Sequence, residues 1–148
     1  VEQVARVARN FRKSKIMVHA YLMYGFPTQT IQETIDSLER VRQLFEAGCL
    51  TSAFWHRFSA TAHSPIGHAP EAFGIEINRK NAEFAENDLE FHDPSGIDHG
   101  KLGVGLRKAV YNYMLGIGLD ADVREWFTFT VPKSTVDKNF IRQALKNG

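Results

Sequence analysis

The residues able to do chemistry in this chain are few and dispersed. Six histidines, His19, His56, His63, His68, His92 and His99, have the side chain best suited to moving a proton or holding a metal near neutral pH. They contain no HExxH, and their spacings match no standard zinc pattern. His63, His68, His92 and His99 therefore read as ordinary loop or surface histidines. Cys49 is the single cysteine, which excludes an internal disulfide and, on its own, a cysteine-based metal site. The run GIDHGKL over 96–102 is similar to a P-loop but lacks its spacing. Leu102 stands where Ser or Thr should hold magnesium, so nucleoside triphosphate binding there is not expected. No GxSxG occurs, which disfavours a small α/β hydrolase.

His19 differs from the other histidines because it lies inside an apolar run, 16–24. Short and apolar on both faces, this run reads as a fully buried parallel strand. Strand alternation puts His19, Tyr21, Met23 and Gly25 on one face, and Val18, Ala20, Leu22 and Tyr24 on the other. The second set suits packing under helices. The first carries the polar groups, so it is expected to face a cleft or barrel interior, or else to hold His19 as a hydrogen-bonded core residue. A second strand is expected over 50–59, rich in aromatics. There Ala53, Trp55, Arg57 and Ser59 alternate with Phe54, His56, Phe58 and Ala60, and pattern alone leaves open which set points inward. His56 and Arg57 both lie near the carboxyl end of that strand, where either can reach a ligand or make a structural hydrogen bond or ion pair.

Helices must position these strands. Residues 1–14 read as a helix whose core stripe is Val4, Val7, Ala8 and Phe11. The first strand is stopped by Gly25 and Pro27. Thr30 and Glu33 then have the spacing of a capping box, opening a helix that runs to Gly48. Its expected stripe is Ile31, Ile35, Leu38, Val41 or Arg42, and Phe45; its expected wet face holds Glu39, Arg40, Arg42, Gln43 and Glu46. Helix, strand, helix, strand is an α/β alternation. Two strands do not make a stable sheet alone, so either later residues add strands or the partners lie on another segment.

Beyond residue 70 the pattern changes. Residues 73–87 are polar with an acidic cast, and 92–99 form a turn-rich loop. A second strong helix is expected over 101–119 with Leu102, Leu106, Val110, Tyr113 or Met114, and Ile117 inward. Its Gly103 and Gly105 cost helix propensity and would permit close packing. A short strand is expected over 126–131. A last helix is expected over 134–147, capped by Ser134, with Val136, Phe140, Ile141 and Leu145 buried.

The chain has 148 residues, 43% of them hydrophobic, enough for one domain with a real core. A net charge of +1 gives no strong field for nucleic acid or an anionic membrane. No apolar run is long enough to suggest a membrane span, no secretory signal is visible, and a reducing cytoplasm is the default expectation. The chain begins at Val1, already in an apparent helix, as expected of a piece cut from a longer protein.

The stretch YLMYGFPTQTIQETIDSLERVRQLFEAG resembles one found in radical S-adenosylmethionine (radical SAM) enzymes: a hydrophobic strand, GxPxxT, then an amphipathic helix. It is most similar to the branch that often carries an N-terminal cobalamin-binding domain and to the coproporphyrinogen-oxidase-like branch. FWHRFSATAHSPIG continues the likeness as that branch's next strand and its TxxSP loop, so the resemblance spans residues 15–67.

The resemblance implies an α/β fold: the C-terminal fragment of a partial (β/α)6 TIM-like barrel over 1–69, then a mostly helical C-terminal extension over 70–148. It also implies roles for particular residues. The family's loose GxIxGxxE, which lines the adenine of S-adenosylmethionine, falls on Tyr21, Met23, Gly25 and Thr28. Met23 offers an apolar surface and Gly25 close backbone approach, whereas Tyr21 replaces a glycine and Thr28 an acid. The next strand would bring His56 or Arg57 toward the ligand. The CxxxCxxC that holds a 4Fe–4S cluster is absent. The implied cofactors are thus S-adenosylmethionine and a 4Fe–4S cluster in a full-length protein, with cobalamin in one branch; the cluster ligands lie upstream of Val1, and the piece alone is inactive. Its implied partners are the N-terminal part of the same polypeptide and a small-molecule or other unknown substrate. A half-barrel exposes an edge and an apolar interior, so a homodimer of the piece is also expected. The rival reading is a non-catalytic interaction or oligomerisation module, built on the helices over 101–119 and 134–147.

Overall fold

Tyr21 stands opposite Phe54, and Met23 opposite His56, in a parallel pair of strands: β1 (His19–Tyr24) and β2 (Ser52–Arg57). Helix α2 (Ile31–Glu46) connects them. The computed structural model describes residues 1–78 and 87–146. The fold is mixed α/β, with helix α1 (Glu2–Lys13) ahead of β1.

The boundaries of α2 follow from local chemistry. The Thr30 hydroxyl accepts the Glu33 N–H at 3.2 Å, and the Glu33 carboxylate accepts the Thr30 N–H at 2.7 Å, completing the capping box. At the other end the N–H of Gly48 reaches Phe45 O, and the N–H of Cys49 reaches Leu44 O, both at 2.9 Å. This closure needs a left-handed residue, and Gly48 supplies it with φ +66°. Ile35, Leu38, Val41, Leu44 and Phe45 are buried, as the helical spacing requires.

The expected wet face of α2 is wet only at Glu46, which is exposed, and in part at Arg40. Glu39, Arg42 and Gln43 are buried, together with Asp36. The chain after Leu119 folds back over them, which a helical wheel cannot anticipate. Arg42 pairs with Glu39 at 2.7 Å and with Glu46 at 3.1 Å, and also donates to Leu119 O. Gln43 donates to Asp137 O at 2.8 Å and accepts the Ile141 N–H at 3.0 Å. Asp36 accepts from Ser134 Oγ and Thr135 N, both at 2.8 Å, and from Thr135 Oγ1 at 2.6 Å. Arg40 does remain outside the buried set.

Helix α4 (His99–Met114) packs on β2 and α2 through Leu102, Leu106, Val110 and Tyr113. It ends before the expected boundary, so Ile117 is exposed. The faces of Gly103 and Gly105 are filled by Tyr24 and Phe127; a Cβ at either position would overlap an aromatic side chain. The helix-propensity cost, roughly 1 kcal/mol per glycine, is offset by this close contact.

Other expectations fail for identifiable reasons. Val4, Val7 and Phe11 of α1 are exposed, and Ala5 and Ala8 are its buried residues, because α1 turns its small-residue side to the core and to α5 (Phe140–Lys146). β1 is not buried on both faces: Tyr21 and Met23 are 73% and 60% exposed. Residues 127–131 form no strand; a 3-10 turn, Val123–Trp126, precedes an irregular run. The last helix is shorter than expected, and Ser134 bonds Asp36 instead of capping it; Asn147 lies outside the described residues. The extension is less helical than expected. It contains β4 (Glu76–Ile77), which pairs with β6 (Phe91–His92), and β5 (Asp88–Leu89), which pairs with β3 (Ala60–Thr61). A short helix, α3 (Pro65–His68), follows β3. These pairs do not join β1 and β2, so among the described residues the main sheet has two strands and no barrel closes. Glu83 and Glu86, part of the acidic cast, lie outside the described residues.

One apolar cluster joins α1, β1, α2, β2, α4 and α5. A second, smaller one gathers Ala60, Ile66 and Ile75 with Phe26, Phe58, Phe73 and Phe91 beyond the carboxyl ends of the two strands. No described helix is long and apolar enough to cross a membrane.

Candidate functional site

The pleat of β1 and β2 sorts their side chains. Ala53, Trp55 and Tyr24 point into the core with the helices. His19, Tyr21 and Met23 emerge on the opposite face, beside Ser52, Phe54 and His56 of the neighbouring strand. This settles the open question of β2: His56 shares the face of Tyr21, while Arg57 belongs to the alternate set and is exposed at the strand end.

The face is built from interacting pairs. The Tyr21 and His56 rings stack with centroids 3.7 Å apart, and Tyr21 Oη lies 3.2 Å from His56 Nδ1. Phe54 meets the same imidazole edge-on at 4.5 Å. His56 Nε2 is shielded from solvent and has no hydrogen-bond partner among the described residues. His19 Nδ1 lies 2.7 Å from Ser52 Oγ at the amino-terminal end of the strands. A serine beside an imidazole is a nucleophile–base pair in outline, but no acid orients this one among the described residues, and the pair is exposed. The face is better equipped to bind than to attack: two aromatic rings and a thioether suit a flat, partly apolar ligand.

The turn after β1 gathers the remaining candidates. Gly25, with φ +78°, donates its N–H to Gln29 Oε1 at 2.8 Å, and the His99 ring packs where a side chain at Gly25 would lie. The close approach at this glycine is therefore made by His99. Thr28 is exposed and shares with Met23 an open groove of about 480 Å³ along α2.

His99 overturns the expectation of a loop or surface histidine. It is 4% exposed and lies in the first turn of α4, at the carboxyl end of β1. Its Nε2 lies 3.4 Å from Asp93 Oδ2, close enough for an ion pair when protonated but not aligned as a hydrogen bond. Burial pushes the Asp93 carboxyl up, yet the hydrogen bonds from Ser95 and the nearby imidazole outweigh it, leaving it below the ordinary aspartate range. A signal for His99 was present: it continues the Leu102, Leu106, Val110 and Tyr113 stripe backward by one turn.

The fit of the implied cofactors is uneven. The open face, with its exposed Tyr21, Met23 and Phe54 side chains, is compatible with an adenine-bearing ligand. A 4Fe–4S cluster is not accommodated by this chain. It needs several thiolates, and Cys49 is fully buried, with its Sγ directed at Ala5 O 3.6 Å away. Burial pushes that thiol up, and Arg9 only partly offsets it. No set of His, Cys, Asp and Glu among the described residues is arranged to hold a metal ion. No protein-family model matches the chain, and neither the curated proteins nor the solved structures yield a match.

Proposed function

We propose that this chain is the C-terminal part of a radical SAM enzyme of the cobalamin-associated or coproporphyrinogen-oxidase-like branch. In this reading the open face of β1 and β2 lines the S-adenosylmethionine pocket. The observation that carries it is that face: parallel strands present His19, Tyr21, Met23, Phe54 and His56 outward, leaving the large Tyr21, Met23 and Phe54 side chains uncovered. In an α/β barrel such a face would be covered by the other strands and by ligand. Tyr21, Met23 and Phe54 would contact the adenine, His56 would hold the Tyr21 ring in place through their stack, and the turn at Gly25 and Thr28 would close one end. Arg57 is less well placed to contribute. The cluster thiolates would come from residues outside this chain, which would then be inactive alone.

The test begins with the reading frame upstream of Val1. A CxxxCxxC there, followed by anaerobic reconstitution with iron and sulfide, should give a cluster whose electron paramagnetic resonance spectrum changes on adding S-adenosylmethionine. His56→Ala and Met23→Ala in the full-length protein should weaken that response without loss of the cluster. An initiator methionine directly ahead of Val1 would remove the proposal.

A second reading, a non-catalytic interaction module, is favoured by exposed apolar rows on two helices. Val4, Val7 and Phe11 form one on α1, and Val104, Tyr111 and Leu115 form another on and just beyond α4. Self-association of a chain whose upstream frame lacks the cluster motif would favour it.

A further inference from the structure

A cleft between α1 and α5 carries a charge that the composition hides. Its walls hold Arg6, Arg9 and Lys13 on one side and Lys138, Arg142 and Lys146 on the other. Six of the chain's 18 basic residues meet there, with one of its 17 acidic residues, Glu46. The rest of the chain is left with 12 basic residues against 16 acidic, so a net charge of +1 conceals two regions of opposite sign. Glu46 does not neutralise the cleft. It lies 3.1 Å from the buried Arg42 and 3.6 Å from Arg142, so its charge is shared with a cation outside the cleft.

The arrangement follows from the packing. Ala5 and Ala8 let α1 lie close to α5, and the residues flanking that contact project over the seam. Arg6, Arg9 and Lys13 recur at helical spacing, spanning about 10 Å at the α-helical rise. Like charges gathered in a concavity repel each other and focus a positive field on whatever enters. The cleft has a volume of about 430 Å³, the size of a small ligand. A long nucleic-acid backbone calls for an extended basic track; a short concave site between two rows of cations suits a compact anion.

We propose that the cleft between α1 and α5 binds a small polyphosphate, with the guanidinium groups of Arg6, Arg9 and Arg142 and the ammonium groups of the three lysines contacting its oxygens. Arginine can do this in bidentate fashion, and lysine as a point charge. The proposal does not depend on the function proposed for the sheet face.

Calorimetric titration of the intact chain with inorganic tripolyphosphate at low ionic strength tests it. One-to-one binding is expected, weakening as salt is added. The double variant Arg9→Gln/Lys146→Gln should bind about tenfold less tightly, the effect of losing roughly 1.4 kcal/mol. Lys108→Gln, an exposed lysine of α4 outside the cleft, should bind as the unmodified chain does. Far-ultraviolet circular dichroism establishes that each variant is folded, and Lys13→Gln alone provides a milder second variant. A parallel titration with vesicles containing phosphatidylinositol bisphosphate separates a phosphate headgroup from a free phosphate; binding to either that depends on the cleft supports the assignment. No binding, or equal loss in the cleft and control variants, overturns it. So does much tighter binding of a short RNA through the same cations, which would assign the cleft to nucleic acid.

Discussion

Tyr21 and His56, on adjacent parallel strands, contact each other in two ways: their rings stack at 3.7 Å, and the phenol oxygen lies 3.2 Å from the imidazole Nδ1. The pair holds the open face in shape without a covering layer. It pairs one imidazole nitrogen, Nδ1, on the exposed side and leaves the other, the shielded Nε2, without a partner among the described residues. A double-mutant cycle of Tyr21→Ala and His56→Ala, followed by urea unfolding, should return a coupling of about 0.5–1 kcal/mol. Additive losses would show that the two side chains merely sit side by side.

Asp36 clamps the returning segment to α2 by accepting bonds from Gln32, Ser134 and Thr135. Burial raises its pKa, but the hydrogen bonds from Thr135, Ser134 and Gln32 outweigh that, and the folded-state pKa lies below the ordinary value. The sign follows. The carboxylate's stabilisation is fully present above the unfolded-state pKa, near 3.9, and is lost as pH falls through the depressed folded value. Asp36→Ala should cost about 1–3 kcal/mol at neutral pH and flatten the acid limb of stability plotted against pH. Denaturation profiles of the two proteins between neutral pH and acid check both outcomes.

Gly103 lies where α4 crosses Tyr24, and a methyl group there would overlap the phenol. Elsewhere in a helix, Gly→Ala gains roughly 1 kcal/mol of propensity. Here Gly103→Ala should instead destabilise by about 1–3 kcal/mol, as overpacking does. A thermal melt reads the sign directly; a higher midpoint in the variant would contradict the close contact.

The apolar row of α1 exposes Val4 at 58% and Phe11 at 47%, with the open sheet face on the same chain. Both should seek cover. Sedimentation velocity of the chain alone should show self-association that weakens in the Val4→Lys/Phe11→Lys variant. A monodisperse monomer at every concentration would count against the half-barrel reading.

Local rules made much of this chain legible before any tertiary contact was known. Thr30 and Glu33 cap α2 because both halves of that interaction lie within one turn. Gly48 ends it because the closure needs a left-handed residue. The alternation of His19, Tyr21 and Met23 with Ala20, Leu22 and Tyr24 comes from the pleat itself. The helix-spaced leucines of α4 carry their own register.

Periodicity does not say what will lie against a face. Glu39, Arg42 and Gln43 look like a wet surface, and with Asp36 they become the buried seat of the segment that follows Leu119, because each finds a partner that satisfies it. Val4, Val7 and Phe11 look like core, and they are exposed: of their expected stripe only Ala8 is buried, and it and Ala5 allow the closer approach. His99 and Gly25 meet only when α4 is placed against the strand ends. The sequence alone determined the long elements α1, β1, α2, β2 and α4 and the residues that share each of their faces, which depend on neighbours within a turn or a pleat. The tertiary structure decided which faces are buried and which residues share a site, because those outcomes depend on segments far apart in the chain.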